Sequence, residues 1–202
     1  MPKTKVLIVQ GTTAHRSRIS TVAGVAREAA EAEGATVEDW DLVERPLPIM
    51  SLTDPRQRRL DEVVQVREMA ASADGFLLIT PEYHGNMSGA LKNWFDFLYL
   101  ELAGKFAGVV AVTGGGSGDM SIMSVKNSFA WCHGFTLPFH AACRPEDFED
   151  NRLVNERVIE RVQRIGSDVV RYAPLIRRTF EAARASGRDW RAGVAGMHHD
   201  EG

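Results

Sequence analysis

Residues 75–98 constrain the fold of this chain more than any other stretch. They open with the uncharged run at 76–79, which predicts a strand buried on both faces. Pro81 ends that strand, because proline has no N–H to donate to a neighbouring strand. From Ser88 onward, apolar residues recur at helical spacing. A buried strand, a polar loop and a helix form a βα unit. In an open parallel sheet the loop of such a unit lies at the carboxyl edge, where ligands bind.

The rest of the chain repeats this alternation of strand and helix. Four further strands are predicted at residues 6–9, 36–40, 106–113 and 135–142. The last of them is broken at Pro138. Five βα units with short connections predict an α/β fold, a doubly wound five-stranded parallel sheet with helices on both faces. The strand count and helix placement favour the flavodoxin-like order 2-1-3-4-5. That order brings the loops after strands one, three and four side by side.

The chain is predicted to form one domain, residues 1–185, since no linker rich in proline, serine or glycine divides it. One helix is predicted over residues 55–72. The last helix is predicted to begin near Asn151, and Pro174 is expected to kink or restart it. Residues 186–202 show no periodicity, so this tail is predicted to be mobile or to contact a neighbouring subunit.

Composition argues against several classes of function. The 202 residues carry a formal net charge of −3, which gives no electrostatic case for binding nucleic acid or an anionic membrane. Cys132 and Cys143 are too few for a disulfide framework or a zinc site, so reduced, buried thiols in a cytoplasmic protein are expected. No apolar run approaches the length of a membrane span, and no signal peptide is visible. His198 and His199 are adjacent in the tail, where their rings do not converge, so no metal site is predicted.

The loop after the first strand, residues 11–17, combines hydroxyl and cationic side chains just before a helix. Hydroxyls and backbone N–H groups at a helix N-terminus suit a phosphate. The single glycine, Gly11, fits neither the dinucleotide-binding pattern nor the P-loop. A plain turn in which Ser17 caps the following helix explains the same residues, so both interpretations stay open.

The loop after the fourth strand, residues 113–119, has four glycines in five positions. Glycines permit a close backbone approach and leave N–H groups to point at a ligand. A flat heteroaromatic ring with polar edges would use that arrangement well. The alternative is a flexible surface loop, but the position after a buried strand favours the ligand.

The loop after the third strand, residues 81–87, offers Tyr83 as a side chain that can lie against a ring. Glu82 and His84 are acid–base candidates by residue type. However, a lone glutamate in a loop is more often solvated, and a histidine before a glycine is more often a turn residue. The serines lack the nucleophile-elbow pattern, and spacing suggests no cysteine–histidine pair. No catalytic side chain is therefore predicted.

Residues 81–93, PEYHGNMSGALKN, closely resemble the PEYN-G-x-x-x-GALKN signature of the NADPH-dependent FMN reductase family. That family includes quinone, azo-dye and chromate reductases with a flavodoxin-like fold. The resemblance spans roughly residues 5–142, including the opening loop, normally G-S-x-R-x-x-S, and the glycine-rich loop. It implies an enzyme with non-covalent FMN that passes hydride from NADPH or NADH to a quinone, flavin, azo compound or metal ion.

The resemblance also implies where FMN lies. Its phosphate is expected on the first loop and its ring between the two other loops, with backbone N–H groups stabilising the reduced ring. The redox chemistry belongs to the cofactor, so the lack of an acid–base residue is no objection. The implied cofactor-binding residues are Gly11, Thr12, Arg16, Ser17, Arg18, Pro81, Glu82, Tyr83, His84, Gly85, Asn86, Met87, Thr113, Gly114, Gly115 and Gly116.

Related proteins are commonly dimers or tetramers with the flavin at the interface, so the resemblance implies a homodimer or homotetramer. Trp94, Phe95 and Phe97 are candidates for that contact, and core packing is the alternative for at least two of them. The alternative function is an FMN-binding electron carrier or interaction module without NAD(P)H activity. Such carriers tend to be more acidic, and their T-x-T-G-x-T loop is absent here.

Three residues depart from the family pattern. Ala14 stands where the family often has the phosphate-loop arginine, so Arg16 or Arg18 must substitute for it. His84 replaces the usual asparagine, and Asn86 replaces the usual serine or threonine. The last two are expected near the flavin, where they can change acceptor preference or redox potential.

Overall fold

The computed structural model describes residues 3–15 and 17–198. Its main sheet is parallel, with the order β2-β1-β3-β4-β5, which confirms the predicted flavodoxin-like topology. A sixth short strand, β6, also pairs with β4. The strands are β1 (Lys5–Gln10), β2 (Thr36–Asp41), β3 (Gly75–Pro81), β4 (Phe106–Val112), β5 (Phe135–Thr136) and β6 (Ala141–Cys143).

Helices cover both faces of the sheet, as predicted. They are α1 (Arg18–Ala32), α2 (Asp61–Ser72), α3 (Gly89–Asp96), α4 (Asp119–Trp131) and α5 (Glu156–Ala185). Buried residues of α1 and α5 share one core cluster with one face of the sheet. Buried residues of α2, α3 and α4 share a second cluster with the opposite face. The sheet therefore separates two apolar layers.

The centre of the sheet is buried because strands and helices cover it from every side. All seven residues of β3 are buried, as expected for a parallel strand between two others. A Cβ at Gly75 would lie 2.7 Å from the Val169 side chain, and one at Gly108 would lie 2.4 Å from Ile165. Glycine at these positions lets α5 pack directly on the backbone of β3 and β4.

The predicted helix over residues 55–72 is two elements. A 3-10 turn spans Pro55–Arg59, and α2 begins at Asp61. Leu60 between them has extended backbone angles, φ −66° and ψ 136°. Asp54 caps the 3-10 turn by accepting a hydrogen bond from the Arg56 N–H, so the local capping chemistry stabilises a separate turn rather than the start of α2.

The last helix begins later than predicted and does not restart at Pro174. Residues 148–149 and 152–153 pair in a small antiparallel ladder, β7 and β8, which occupies the predicted first turn. Asn155 then caps α5 by accepting from the Arg157 N–H. The helix continues through Pro174 to its end. Proline removes one hydrogen bond there, and burial of the adjacent Ala173 against the sheet offsets this loss.

The predicted fifth strand, broken at Pro138, appears as the two short strands β5 and β6. Proline cannot donate to the ladder, so regular pairing stops on either side of it. Lys126 Nζ donates to the carbonyls of Leu137 and Pro138, at 2.8 and 3.0 Å, and so satisfies acceptors in the gap.

The tail contains a short element that the sequence pattern did not indicate. Trp190–His198 forms 3-10 turns around Gly193, and Ala195 packs with Ala103 and Phe180 of the same chain. Contact of the tail with a neighbouring subunit stays a prediction. Over the part of the chain that the structure describes, no helix is both long and apolar enough to span a membrane.

Candidate functional site

The first loop is fastened to the end of β3 and the start of α3. The Gly11 N–H donates to the Ile79 carbonyl at 2.7 Å, and the Ser88 hydroxyl donates to the Gly11 carbonyl at 2.6 Å. A Cβ at Gly11 would lie 2.9 Å from both the Ile79 carbonyl oxygen and Leu91 Cβ. The first loop therefore lies directly beside the middle loop only because residue 11 has no side chain.

Two hydroxyls of the first loop each accept a backbone hydrogen bond. Thr12 Oγ1 accepts from the Ala14 N–H at 3.1 Å, and Ser17 Oγ accepts from the Ile19 N–H at 3.2 Å. A hydroxyl that accepts in this way keeps its own hydrogen to donate to an anion. Both interpretations of Ser17 are therefore compatible, since one oxygen can cap α1 and still donate to a phosphate.

Arg16 and Arg18 are the cations predicted to bind a phosphate. The Arg18 guanidinium lies 5.0 Å from the centre of the Phe148 ring, so part of this side chain is directed toward β7. Arg16, the other substitute for Ala14, lies outside the described residues.

The middle loop contains a tight turn of four residues. Tyr83 and Asn86 exchange two backbone hydrogen bonds, both of 3.0 Å. The central residues His84 and Gly85 have φ of +52° and +72°. Positive φ at both central positions is typical of a type I′ turn, which favours Asn-Gly. This geometry explains why a histidine is tolerated but strained here, since only a few residue types enter the left-handed region easily.

Asn86 joins the middle loop to α4. Its side-chain oxygen accepts from the Met87 N–H at 2.8 Å and from the Ser124 hydroxyl. The Met120 sulfur would lie 3.3 Å from a Cβ at Gly85. The departure from serine or threonine at position 86 thus supplies a longer side chain that reaches the neighbouring helix.

The third loop is folded by Thr113 and lies against the middle loop. Thr113 Oγ1 donates to the Gly116 carbonyl at 2.9 Å. The Glu82 N–H donates to the Val112 carbonyl at 3.1 Å, and Glu82 Oε1 would lie 2.4 Å from a Cβ at Gly116. By contrast, a Cβ at Gly114 would meet no atom of the described residues within 4 Å, and this glycine is exposed. Part of the loop packs closely while its tip faces open space.

The structure therefore brings the three predicted loops together at the carboxyl edge of the sheet. Pro81 and Met87 are buried and shape the loop from below, whereas Tyr83 and His84 are exposed at its rim. In the described part of the chain, no group of three or more histidine, cysteine or acidic residues is arranged to hold a metal ion. The carboxyl edge presents backbone groups, hydroxyls and an aromatic ring to a ligand.

Cavities lie beside these loops and also away from them. One of about 250 Å³ opens next to Thr13 and the start of α3, with apolar lining from Leu42, Leu47 and Ile49. A larger one, of about 590 Å³, lies between the segment before α2 and the end of α3, and none of the three loops lines it. Its size alone is no reason to place the chemistry there, because its walls lack the glycine backbone of the carboxyl edge.

Two residues that support the site, Ser88 and Asn93, were not predicted from the sequence. Ser88 both donates to Gly11 and accepts from the Leu91 N–H at 3.0 Å, so it caps α3 and fixes the first loop. Asn93 is buried in α3 and bonds the backbone of Pro48 and Met50, at 2.8 and 2.9 Å. A polar residue on the apolar side of a helix was the available signal for Asn93, since such residues are usually hydrogen-bonded.

One titratable group near the start of α4 has a perturbed pKa. Burial, and then the neighbouring Lys126 ammonium, lower the pKa of His140. Its ring lies 4.0 Å from the Asp119 carboxylate in the first turn of α4. His140 is therefore mainly neutral at pH 7, and it adds little positive charge near the third loop.

Comparison with known proteins identifies relatives of the whole sheet region. A model of the NADPH-dependent FMN reductase family matches residues 4–147. An NADPH azoreductase of Bacillus sp. (strain OY1-2) is 34% identical over 136 residues, covering 66% of this chain and 73% of the relative. An FMN-dependent NADPH-azoreductase of Staphylococcus aureus is 29% identical over 152 residues, covering 73% and 80%.

Solved structures agree on the fold. The flavoenzyme NAD(P)H:(acceptor) oxidoreductase FerB of Paracoccus denitrificans superposes with a TM-score of 0.69 at 22% identity, covering 86% of this chain and 98% of that one. A flavodoxin of Megasphaera elsdenii has a TM-score of 0.55 at 19% identity, covering 82% and 98%. The family match covers most of the chain and all three loops, so the chain belongs to the NADPH-dependent FMN reductase family and is an FMN-dependent NAD(P)H oxidoreductase.

Proposed function

We propose that the three loops at the carboxyl edge hold FMN and that the enzyme reduces planar aromatic acceptors, azo compounds among them, at the expense of NAD(P)H. The observation that carries this proposal is the way the Gly11, Pro81 and Thr113 loops are bonded to one another. The names of the relatives, which are azoreductases, support the acceptor class. In this proposal residues 1–185 form the FMN-binding domain.

The residues present fit a flavin mononucleotide. Its phosphate requires donors, and the hydroxyls of Thr12 and Ser17 each keep a hydrogen to donate. The N-terminus of α1 favours negative charge at the same place. Arg16 and Arg18 are the proposed cations. The polar edge of the ring requires backbone N–H groups, and the exposed tip at Gly114 and Gly115 has space for it.

When bound, FMN supplies two-electron redox chemistry between NAD(P)H and the acceptor. The chain itself orients and encloses the ring. Tyr83, half exposed at the rim, offers an aromatic face. The turn at His84 and Gly85 fixes the direction of that face, because both of its central residues are held in the left-handed region. The apolar cavity beside Thr13 suits a flat, uncharged acceptor.

The proposed oligomer is a homodimer in which α4 contributes to the contact. Trp94 and Phe95 are 0% and 4% exposed, so they belong to the core and leave Phe97 as the remaining candidate of the three. Met120, Met123 and Trp131 of α4 are 69%, 50% and 80% exposed. Exposed apolar side chains along one helix support a protein contact, and Met120 lies next to the middle loop.

The thiols support a reducing, cytoplasmic location. Cys132 and Cys143 are free and buried. Burial raises the pKa of Cys132 to about 11 and that of Cys143 to about 12. A thiol that stays protonated is a poor nucleophile and resists oxidation, so neither cysteine is proposed to take part in the reaction.

The test is a spectrum followed by a steady-state assay. The purified chain, supplied with FMN and desalted, is expected to retain a flavin absorbance spectrum at one FMN per chain and to oxidise NADPH or NADH when an azo dye or a quinone is added. A protein that binds no FMN would overturn the site. A protein that binds FMN and oxidises NAD(P)H but reduces only ferric ion would overturn the acceptor class alone.

A further inference from the structure

The described tail ends in a close pair of histidine rings. His198 Nε2 lies 2.5 Å from His133 Nδ1, and the two rings meet edge to face with centroids 4.7 Å apart. The rings of Tyr99 and Phe180 flank His198, at 6.3 and 5.7 Å. Two ring nitrogens at this separation have room for one hydrogen between them.

The backbone of His133 is unusual in a way that supports a role for its side chain. It has φ of +59° and follows the C-cap of α4, with the His133 N–H bonded to Ala130 and the Gly134 N–H bonded to Phe129. Glycine is the usual residue at such a position, because it carries no Cβ penalty in the left-handed region. The backbone strain at His133 and the contact of its ring with His198 together indicate that the side chain has a role at this position.

The environment of His198 opposes positive charge. The residue is 7% exposed, and its Nδ1 is buried without a hydrogen-bond partner among the described residues. Two nearby acids are already paired, Glu181 with Arg177 and Arg184, and Glu101 with Arg67. The charged groups around the adjoining cavity of about 130 Å³ are Glu101, Lys105, Arg177, Glu181 and Arg184. Burial first, then His133 and Arg184, lower the pKa of His198.

Each protonation state of the pair can be followed atom by atom. In the neutral pair, Nε2–H of His198 donates to the bare Nδ1 of His133, and only a lone pair of His198 stays buried. Adding a proton to His198 puts a charge and an N–H at the unpartnered Nδ1. Adding the proton to Nδ1 of His133 forces the hydrogen of His198 to move from Nε2 to the buried Nδ1 of His198. Every charged state thus buries a donor without an acceptor, which is costly.

We propose that His133 and His198 form a proton-operated latch, which holds the segment Trp190–His198 against the amino-terminal edge of the sheet when the pair is neutral and releases it when the pair is protonated. The segment is also anchored by the small cluster of Ala195 with Ala103 and Phe180. The latch is distant from the three loops and does not depend on the proposed FMN site.

The direction of the pH effect follows from linkage. A histidine whose pKa is lower when docked than when released stabilises docking above its ordinary pKa of about 6.5, and this stabilisation is lost as the pH falls below that value. A proton that His198 takes up on release lowers the docking constant by up to about tenfold per pH unit.

Amide hydrogen exchange of the full chain tests the latch. Peptides covering residues 190–198 are compared at about pH 7.5 and about pH 5.5, after correction for the intrinsic pH dependence of exchange. Their protection is expected to fall by up to about tenfold at the lower pH, whereas β1 and β3 stay protected. The variant His198→Phe keeps an aromatic ring next to Phe180 and is expected to remain docked at both pH values.

His133→Gly and His140→Gln complete the experiment. His133→Gly suits the left-handed backbone, removes the imidazole, and is expected to lower protection of the tail at both pH values, because His198 loses its partner. His140→Gln removes a histidine outside the pair and is expected to retain the full pH dependence. The latch is overturned if the unmodified chain shows no pH-dependent protection of the tail, if His198→Phe retains the pH dependence, or if His133→Gly leaves the protection unchanged at about pH 7.5.

Discussion

Each edge of the sheet has a histidine with a positive φ, but the two side chains have different surroundings. At the carboxyl edge, His84 has φ of +52° and an exposed imidazole. At the amino edge, His133 has φ of +59°, and its imidazole is bonded to His198. The backbone strain is similar, but among the residues that the structure describes only the second ring has a partner. Strain without an internal partner indicates a residue kept for a ligand or for a turn, whereas strain with a partner indicates a structural contact.

The polar groups of the two edges differ in the same way. At the amino edge, Lys105 Nζ donates to the carbonyls of Ala71 and Ala73 at the end of α2, so its donors are used inside the protein. At the carboxyl edge, Thr12 and Ser17 accept hydrogen bonds and retain hydrogens to donate. The amino edge is thus closed by its own side chains, and the carboxyl edge remains available to a cofactor.

The largest predicted effect is that of Gly11→Ala, and comparing it with Gly114→Ala distinguishes packing from cofactor binding at the carboxyl edge. Gly11→Ala would place a Cβ 2.9 Å from the Ile79 carbonyl and from Leu91, so we expect a loss of about 1–3 kcal/mol in the free energy of unfolding. Gly114→Ala meets no atom within 4 Å and is expected to weaken FMN binding at unchanged stability. Denaturant unfolding and FMN fluorescence titration measure the two quantities. Equal stability losses in both variants would contradict this division.

The amino edge should respond to pH through Lys105. Burial, and then Arg177, lower the pKa of Lys105 to about 7. The unfolded chain then binds more protons between about pH 7 and pH 10.5, so the free energy of unfolding should rise with pH there, by up to about 1.4 kcal/mol per unit. The raised pKa values of Cys132 and Cys143 act in the opposite direction above about pH 9.

Comparing the unmodified chain with Lys105→Met isolates the contribution of this lysine. The variant should be less stable near pH 7, because the carbonyls at the end of α2 lose their donor, and its rise in stability with pH should be absent. Lys92→Met, at an exposed position of α3, is the control and should keep the rise. Denaturant midpoints at several pH values measure both, and an unchanged pH slope in Lys105→Met would contradict the buried-lysine explanation.

The fold was predictable from the sequence because apolar runs and helical spacing are local signals. The strand at 76–79 and the order of the sheet followed from those runs and from the crossover rule. The ladder of β7 and β8 was not predictable, because each strand has only two residues and its pairing depends on the turn between them. The extended Leu60 between the 3-10 turn and α2 was equally invisible to periodicity.

For the site, the sequence located the loops but not the contacts between them. The roles of Ser88 and Asn93 depend on residues that lie 77 and 45 positions away in the chain, Gly11 and Pro48. Distances of that kind follow only from the assembled sheet. The same limit applies to the pair of His133 and His198, which are separated by 65 positions.

A smaller effect distinguishes a capping serine from one that also binds phosphate. Ser17 caps α1 and Asn155 caps α5 with the same 3.2 Å contact to the second helical N–H. Ser17→Ala and Asn155→Ala should each cost about 1 kcal/mol of stability. Only Ser17→Ala should also weaken FMN binding, and fluorescence titration measures this. If both or neither of the variants changed FMN affinity, Ser17 would be no more than a cap.

The smallest predicted effect compares the two strained histidines directly. Asparagine enters the left-handed region more easily than histidine, so His84→Asn should relieve strain in the turn and raise the free energy of unfolding by less than about 1 kcal/mol. His133→Asn makes the same backbone change but removes the contact with His198. It should therefore lower the protection of residues 190–198 at about pH 7.5 despite the relieved strain. Thermal unfolding and amide exchange measure the pair. Because both variants share the relief of backbone strain, stabilisation by His84→Asn together with loss of tail protection in His133→Asn would show that the partner ring decides the effect of each histidine. Effects of equal sign would remove the distinction between the two edges.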